Sequence, residues 1–225
     1  MKTIQLQIPD NLDLKDHDAS MILAVKLYED GKLSAGDAAS IAGLSKRTFI
    51  ELLGKYNVSV FSSSVSDLHS DIKMPDVIIS DTSTLILFKK IDEFQLLRQV
   101  YRNLLITPEI AYEFQEPLPD WIQIQAVSDT KYQDFLETQI DKGEASVLSL
   151  ASEFNQPLLL LDDLKARKLA KNLNFNITGT LGIIHKAKSL RLIDAVKPII
   201  EKILLTDFRI AGGIVKELLK LNNED

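Results

Sequence analysis

The stretch Val77-Ile78-Ile79-Ser80-Asp81-Thr82-Ser83 decides the fold. A short apolar run rich in β-branched residues, bounded by Pro75 and polar residues, predicts a strand buried on both faces. Such strands belong to parallel sheets, and ligands of open α/β sheets sit beyond the strands' carboxyl ends. Asp81 falls at that end. The run Leu158-Leu159-Leu160-Leu161 followed by Asp162-Asp163 repeats the pattern. A single strand-end aspartate often serves only to cap the next helix. Two core strands that both finish in carboxylates point to one acidic site above a parallel sheet.

Outward from these strands, apolar residues at Leu85, Ile86, Phe88, Ile91, Phe94 and Leu97 predict helix over 84–97. Leu104-Leu105-Ile106 is a further strand, and Thr107-Pro108 opens a helix that carries Glu109 and Glu113 one turn apart. Trp121 to Val127 alternates like an edge strand. Asp141-Lys142-Gly143-Glu144 introduces an apolar helix over 145–154. Leu164 to Leu173 reads as a basic amphipathic helix with Lys165, Arg167, Lys168 and Lys171. Strands alternating with helices predict an α/β layer structure.

The first sixty residues read differently. Ile4, Leu6 and Ile8 alternate with Gln5 and Gln7, and Pro9 stops them, which predicts one half-buried strand. With no partner strand before residue 60, it predicts pairing with a second copy, hence a homodimer or higher homo-oligomer. A helix over 19–30 ends at Gly31. Ser34 with Asp37 forms a capping pattern, Gly43 permits a tight turn, and Ser45 caps a second helix running to about Tyr56. Two short helices about such a glycine suggest a helix-turn-helix, or equally a plain helical hairpin. In a DNA-binding version, residues 34–56 would contact operator DNA through Ser45, Lys46, Arg47 and Thr48. The serine-rich stretch from Phe61 to Met74 reads as a linker. Within it, Val65, Leu68 and Ile72 share one helical face suited to docking on a neighbour. The expected domains are 1–60, a linker 61–74, and 75–225.

A net charge of −6 excludes a protein that coats nucleic acid electrostatically, but permits an acidic site that holds a cation. The absence of cysteine excludes disulfides, thiolate metal sites and a thiol nucleophile. No apolar run approaches the roughly 20 residues that span a bilayer, and the opening residues do not read as a signal peptide, so a cytoplasmic location and no membrane partner are expected. His17, His69 and His185 show no metal-ligand spacing.

Asp81, Glu113, Glu144, Asp162 and Asp163 come from four separate elements. Carboxylates brought together repel, and some must take up protons unless a cation relieves them. Mg2+ or Mn2+ prefers such oxygen ligands with substrate phosphate completing the shell. In-line phosphodiester hydrolysis is the chemistry such a site supports. A haloacid-dehalogenase site would need D-x-D where the chain has Asp81-Thr82-Ser83, and an adhesion-type site D-x-S-x-S, where Leu85 takes the last place. Lys165, Arg167 and Lys168, just after the second acidic strand, are placed to bind the phosphates of such a substrate, or to form a solvated helix face.

From about Pro75 to Ile210 the chain resembles PIN-domain ribonucleases of the VapC toxin type. The motifs are Asp81-Thr82-Ser83, the helix from Pro108 to Phe114 with Glu113, Gly143-Glu144, Leu161-Asp162-Asp163 with Ala166-Arg167, and Thr178-Gly179-Thr180-Leu181-Gly182. The resemblance implies a Mg2+- or Mn2+-dependent endoribonuclease, commonly homodimeric. Its acidic tetrad would fall on Asp81, Glu113, Glu144 and the Asp162-Asp163 pair, with the last position open between the two. Residues 1–60 resemble small helix-turn-helix antitoxins. Toxin and antitoxin are then one chain, which implies an enzyme restrained in cis or a catalytically silent DNA- or protein-binding regulator.

Overall fold

In the computed structural model, residues 7, 9, 11, 12, 14–61 and 75–224 are described. The alternating strand at 3–8, apart from Gln7, and the amphipathic stretch at 64–72 lie outside them.

Five short strands form one parallel sheet: β1 (Ile78–Ser80), β2 (Leu104–Ile106), β3 (Ile122–Ile124), β4 (Leu158–Leu160) and β5 (Asn176–Thr178), in the order β3-β2-β1-β4-β5. Register pairs Ile79 with both Leu105 and Leu159, so β1 is central and apolar on both faces. Parallel strands need crossovers, and helices supply them. These are α4 (Thr82–Lys90), α5 (Phe94–Tyr101), α6 (Pro108–Phe114), α7 (Thr130–Glu137), α8 (Lys142–Ser152), α9 (Leu164–Asn172) and α10 (Thr180–Ser189). Two further helices, α11 (Lys197–Leu204) and α12 (Gly212–Leu221), follow. The expected long helix over 84–97 is two, because the chain turns at Asp92 with a positive φ of 57°. Neighbouring β1 and β4 place the change of winding direction between them, so Asp81 and Asp162 meet at the sheet's carboxyl edge.

The N-terminal part is helical: α1 (Asp16–Glu29), α2 (Ala35–Ala42) and α3 (Lys46–Leu52), followed by a 3-10 turn at Leu53–Tyr56. Ser34 and Ser45 cap α2 and α3 through their hydroxyls, as the sequence pattern predicts. Gly43 takes the left-handed conformation between them, with φ 68°. Helix α3 packs on α4 and α6. A single apolar cluster contains Phe49, Ile50 and Leu53 together with Leu85, Leu87 and Phe88. The two parts of the chain therefore share one core, and the helical part sits over the sheet's acidic edge.

Candidate metal centre

Asp81 ends β1 and caps α4, accepting from the Thr84 amide at 3.0 Å, while its other oxygen faces the Asp162 amide at 3.4 Å. Asp162, at the end of β4, accepts from the Thr180 amide and hydroxyl at 3.0 and 2.6 Å and from the Thr84 hydroxyl at 3.3 Å. The Thr178-Gly179-Thr180 turn thus exists to seat this carboxylate. Asp163 caps α9, taking the Lys165 and Ala166 amides on one oxygen at 2.8 and 2.9 Å. Its other oxygen accepts from the Ala35 amide of α2, at 3.0 Å.

A second group of carboxylates belongs to α6 and α8. Glu113 accepts from the Thr82 hydroxyl at 2.5 Å. Gly143 permits its approach, for a Cβ there would lie 2.3 Å from the Glu113 carboxylate. Asp141 caps α8 through the Glu144 amide at 3.1 Å and accepts from the Gly36 amide at 3.0 Å. Glu144 is wholly buried, and its Oε2 has no hydrogen-bond partner among the described residues. Asp141 escaped the sequence reading as a site member because a helix cap explains it fully; its second role comes from a contact 105 residues away.

Into this group reaches Lys46, only 6 % exposed. Its Nζ lies 3.2 Å from both oxygens of Asp141, 3.4 Å from Glu144 and 3.4 Å from Glu113. Burial alone would lower the lysine's pKa, but the surrounding carboxylates raise it well above the ordinary value. Beside it, Arg47 pairs with Glu116, donates to the Phe114 carbonyl at 2.7 Å and lies over the Phe114 ring. Two of the four residues that the sequence offers to operator DNA, Lys46 and Arg47, therefore make ion pairs with the sheet domain.

The basic helix also divides. Arg167 is buried and donates to the Leu161 carbonyl at 2.5 Å, so it braces the end of β4 from within. Lys168 is exposed. Lys165 is half-buried and pairs with Asp37 of α2 at 3.3 Å.

Burial pushes the acidic centre toward protonation. Asp81 is raised to about 7, by burial first and then by the charge of Asp162. Asp163 is raised to about 6 by burial, against the amides that stabilise its anion. Burial also raises Glu113, Asp162 and, most of all, Glu144. Asp141 goes the other way: burial would raise it, but Lys46 and the hydrogen bonds about Glu144 outweigh that.

Among the described residues, no three carboxylate or imidazole groups converge into a ready-made ion cage. The reason is visible in the contacts: Asp141 and Asp163 turn toward α2, while Lys46 stands among Glu113, Asp141 and Glu144. The donor set still fits a hard divalent cation. It consists of carboxylates alone, it carries excess negative charge, and Glu144 Oε2 is buried without a donor. Asp81, Glu144, Asp162 and Asp163 are the residues that would hold it.

Residues 77–224 match a family described as a PIN domain, and residues 1–76 match the uncharacterised protein family UPF0175. A UPF0175 protein of Aeropyrum pernix is 32 % identical over 77 residues, which are 32 % of this chain and 85 % of that protein. No solved structure matches. No helix among the described residues is long and apolar enough to cross a membrane. The parallel sheet with its acidic carboxyl edge and the match over residues 77–224 agree: the chain belongs to the PIN-domain family, with a UPF0175 module in front of the PIN domain.

Proposed function

We propose that the chain is a toxin–antitoxin fusion whose PIN domain is a Mg2+- or Mn2+-dependent endoribonuclease, restrained in cis by the N-terminal module. The observation that carries this reading is the Lys46 ammonium held 3.2–3.4 Å from Asp141, Glu113 and Glu144. A lysine is buried at such cost only where anionic partners compensate it. Here those partners belong to the acidic centre of a nuclease-type fold.

A divalent cation among Asp81, Glu144, Asp162 and Asp163 would supply an activated water and neutralise charge on the leaving oxygen of a phosphodiester. The protein's own groups prepare for this. The Thr84 and Asp162 amides fix Asp81, and Thr180 fixes Asp162, so neither carboxylate must reorganise on binding. Glu113, held by Thr82 and raised in pKa by burial, is suited to pass a proton. Lys165 supplies a cation for the RNA backbone beside the centre. In the packed arrangement Asp37 stands on it, as a phosphate oxygen would. The N-terminal module thus engages both the carboxylates and the nearby basic group.

The test is cleavage of an unstructured RNA by the full chain across Mg2+ and Mn2+ concentrations, beside Asp81→Asn. Metal-dependent cleavage that Asp81→Asn abolishes is expected, faint in the unmutated chain and stronger in variants that loosen the module. Absence of cleavage in every form, loosened variants included, would leave a PIN-fold binding module instead.

A further inference from the structure

Two features decide how the acidic centre is reached. The N-terminal module is firmly seated. Phe49 and Leu53 are fully buried in the core shared with α4, and returning them to water is unfavourable. Gly54 lies so close to the Asp207 carbonyl that a Cβ there would sit 1.4 Å from its oxygen, and one at Gly31 would sit 2.8 Å from Leu164. Yet the module leaves one side of Lys46 open, while Asp81, Glu144, Asp162 and Asp163 stay buried behind it. A cleft of about 460 Å3 runs between the two parts, and Lys46, Glu113 and Asp141 line it. Asp37 and Glu137 line it too, and Tyr112, 82 % exposed, borders it. A volume of this size admits small ligands. Lys46 therefore borders both the buried carboxylates and open solvent.

We propose that Lys46 is a side-chain gate: its ammonium withdraws from the carboxylates into this cleft when a divalent cation binds, while the N-terminal module stays seated. The proposal rests on the metal-dependent reading above and specifies how the restraint is released. An ammonium among Glu113, Asp141 and Glu144 opposes a second cation there by like-charge repulsion. Either the side chain leaves or the whole module does. Withdrawal of the side chain costs three ion pairs, and the incoming cation replaces their charge. The ammonium regains water, and Asp37 and Glu137 lie beside its new position. Lifting the module would lose the same three pairs and, in addition, the bonds from Ala35 and Gly36, the Arg47–Glu116 pair and the apolar core. The lysine's flexible four-carbon stem makes the smaller movement available. Linkage then requires that Lys46 and the cation weaken each other's hold equally.

The chain has no cysteine, so one engineered pair can hold the module in place. Full-length Arg47→Cys/Glu116→Cys is bridged with a bis-maleimide, and Mn2+ binding is measured by electron paramagnetic resonance without RNA, before and after bridging. Equal affinity in both forms is expected. In the unbridged chain, Lys46→Met is expected to tighten Mn2+ binding by about tenfold or more. Its midpoint of thermal unfolding should fall in chelator and recover with Mn2+ further than the wild type's rises. Loss of Mn2+ binding on bridging would show that the module must lift, and would overturn the gate. An unchanged affinity in Lys46→Met would overturn it as well, as would no binding to either form. If Lys46→Met does not fold, Lys46→Gln takes its place, and the bridging comparison stands on the native lysine. Mn2+ binding as expected without any RNA cleavage would count against the nuclease reading and leave the gate intact.

Discussion

Lys46 Nζ lies 3.2 Å from Asp141, across 95 residues of sequence and across the boundary between the two family matches. The pair joins the first turn of α3 to the cap of α8, so one contact links the module to the charge of the centre. Removing the lysine alone leaves Glu113, Asp141 and the wholly buried Glu144 uncompensated, which costs about 3–5 kcal/mol. Lys46→Met is therefore expected to be markedly less stable than the wild type in chelator, by chemical denaturation. Equal stability would show that the ammonium contributes nothing net.

Gly36 offers a way to disturb the seating without replacing a carboxylate. A Cβ at Gly36 would lie 2.6 Å from the Asp141 side chain, inside any real contact distance. Gly36→Val should break the amide bond to Asp141 and destabilise the chain by about 1–3 kcal/mol. RNA cleavage should rise in the same variant. A rise in stability, or cleavage unchanged with α2 displaced, would contradict this.

The Thr180 hydroxyl bonds Asp162 at 2.6 Å, deep in the structure. Thr180→Val keeps the shape and removes this donor, at an expected cost of about 1–3 kcal/mol. It should also weaken Mn2+ binding, because Asp162 loses its fixed orientation. Calorimetric titration with Mn2+ reads both the affinity and any change in stoichiometry.

The pH dependence has a definite sign. Asp81 and Asp163 take up protons more readily in the folded chain than their ordinary value of 3.8, at about 7 and about 6. Their protonated forms favour folding, so that contribution is complete below about 4 and is lost as pH rises through 6 and 7. In chelator the thermal midpoint should fall over this window, and Asp81→Asn should flatten the fall. Mn2+ should oppose it by neutralising the same charges. A midpoint that rises steadily from pH 4 to 8 in chelator would contradict the assignment.

Much of the PIN part was legible in the sequence because apolar runs and strand-end aspartates carry local signals. The apolar runs at 77–79 and 158–161 read as buried parallel strands, and the structure pairs Ile78–Ser80 with Leu158–Leu160 directly. Asp81 and Asp162 meet across neighbouring strands, whereas among the described residues no three of the candidate carboxylates form a ready-made ion site. Asp141 was hidden by its ordinary local role as a cap. Lys46 and Arg47 were hidden for another reason: at the start of a capped helix after a tight turn, they look the same whether they face a duplex or a protein. Their partners in the sheet domain lie 67 to 98 residues away, where no periodicity reaches. Arg167 misled because its helix is basic on average, although this one side chain points inward to the Leu161 carbonyl.

The central claim is that Lys46 restrains a metal-dependent ribonuclease within the same chain. The direct measurement is the initial rate of RNA cleavage by full-length wild type and full-length Lys46→Met at matched Mn2+, with Lys46→Met/Asp81→Asn as the control. The expected result is a rate at least about tenfold higher in Lys46→Met, abolished in the double variant. A Lys46→Met protein that is folded and binds Mn2+, yet cleaves RNA no faster than the wild type, would contradict the account.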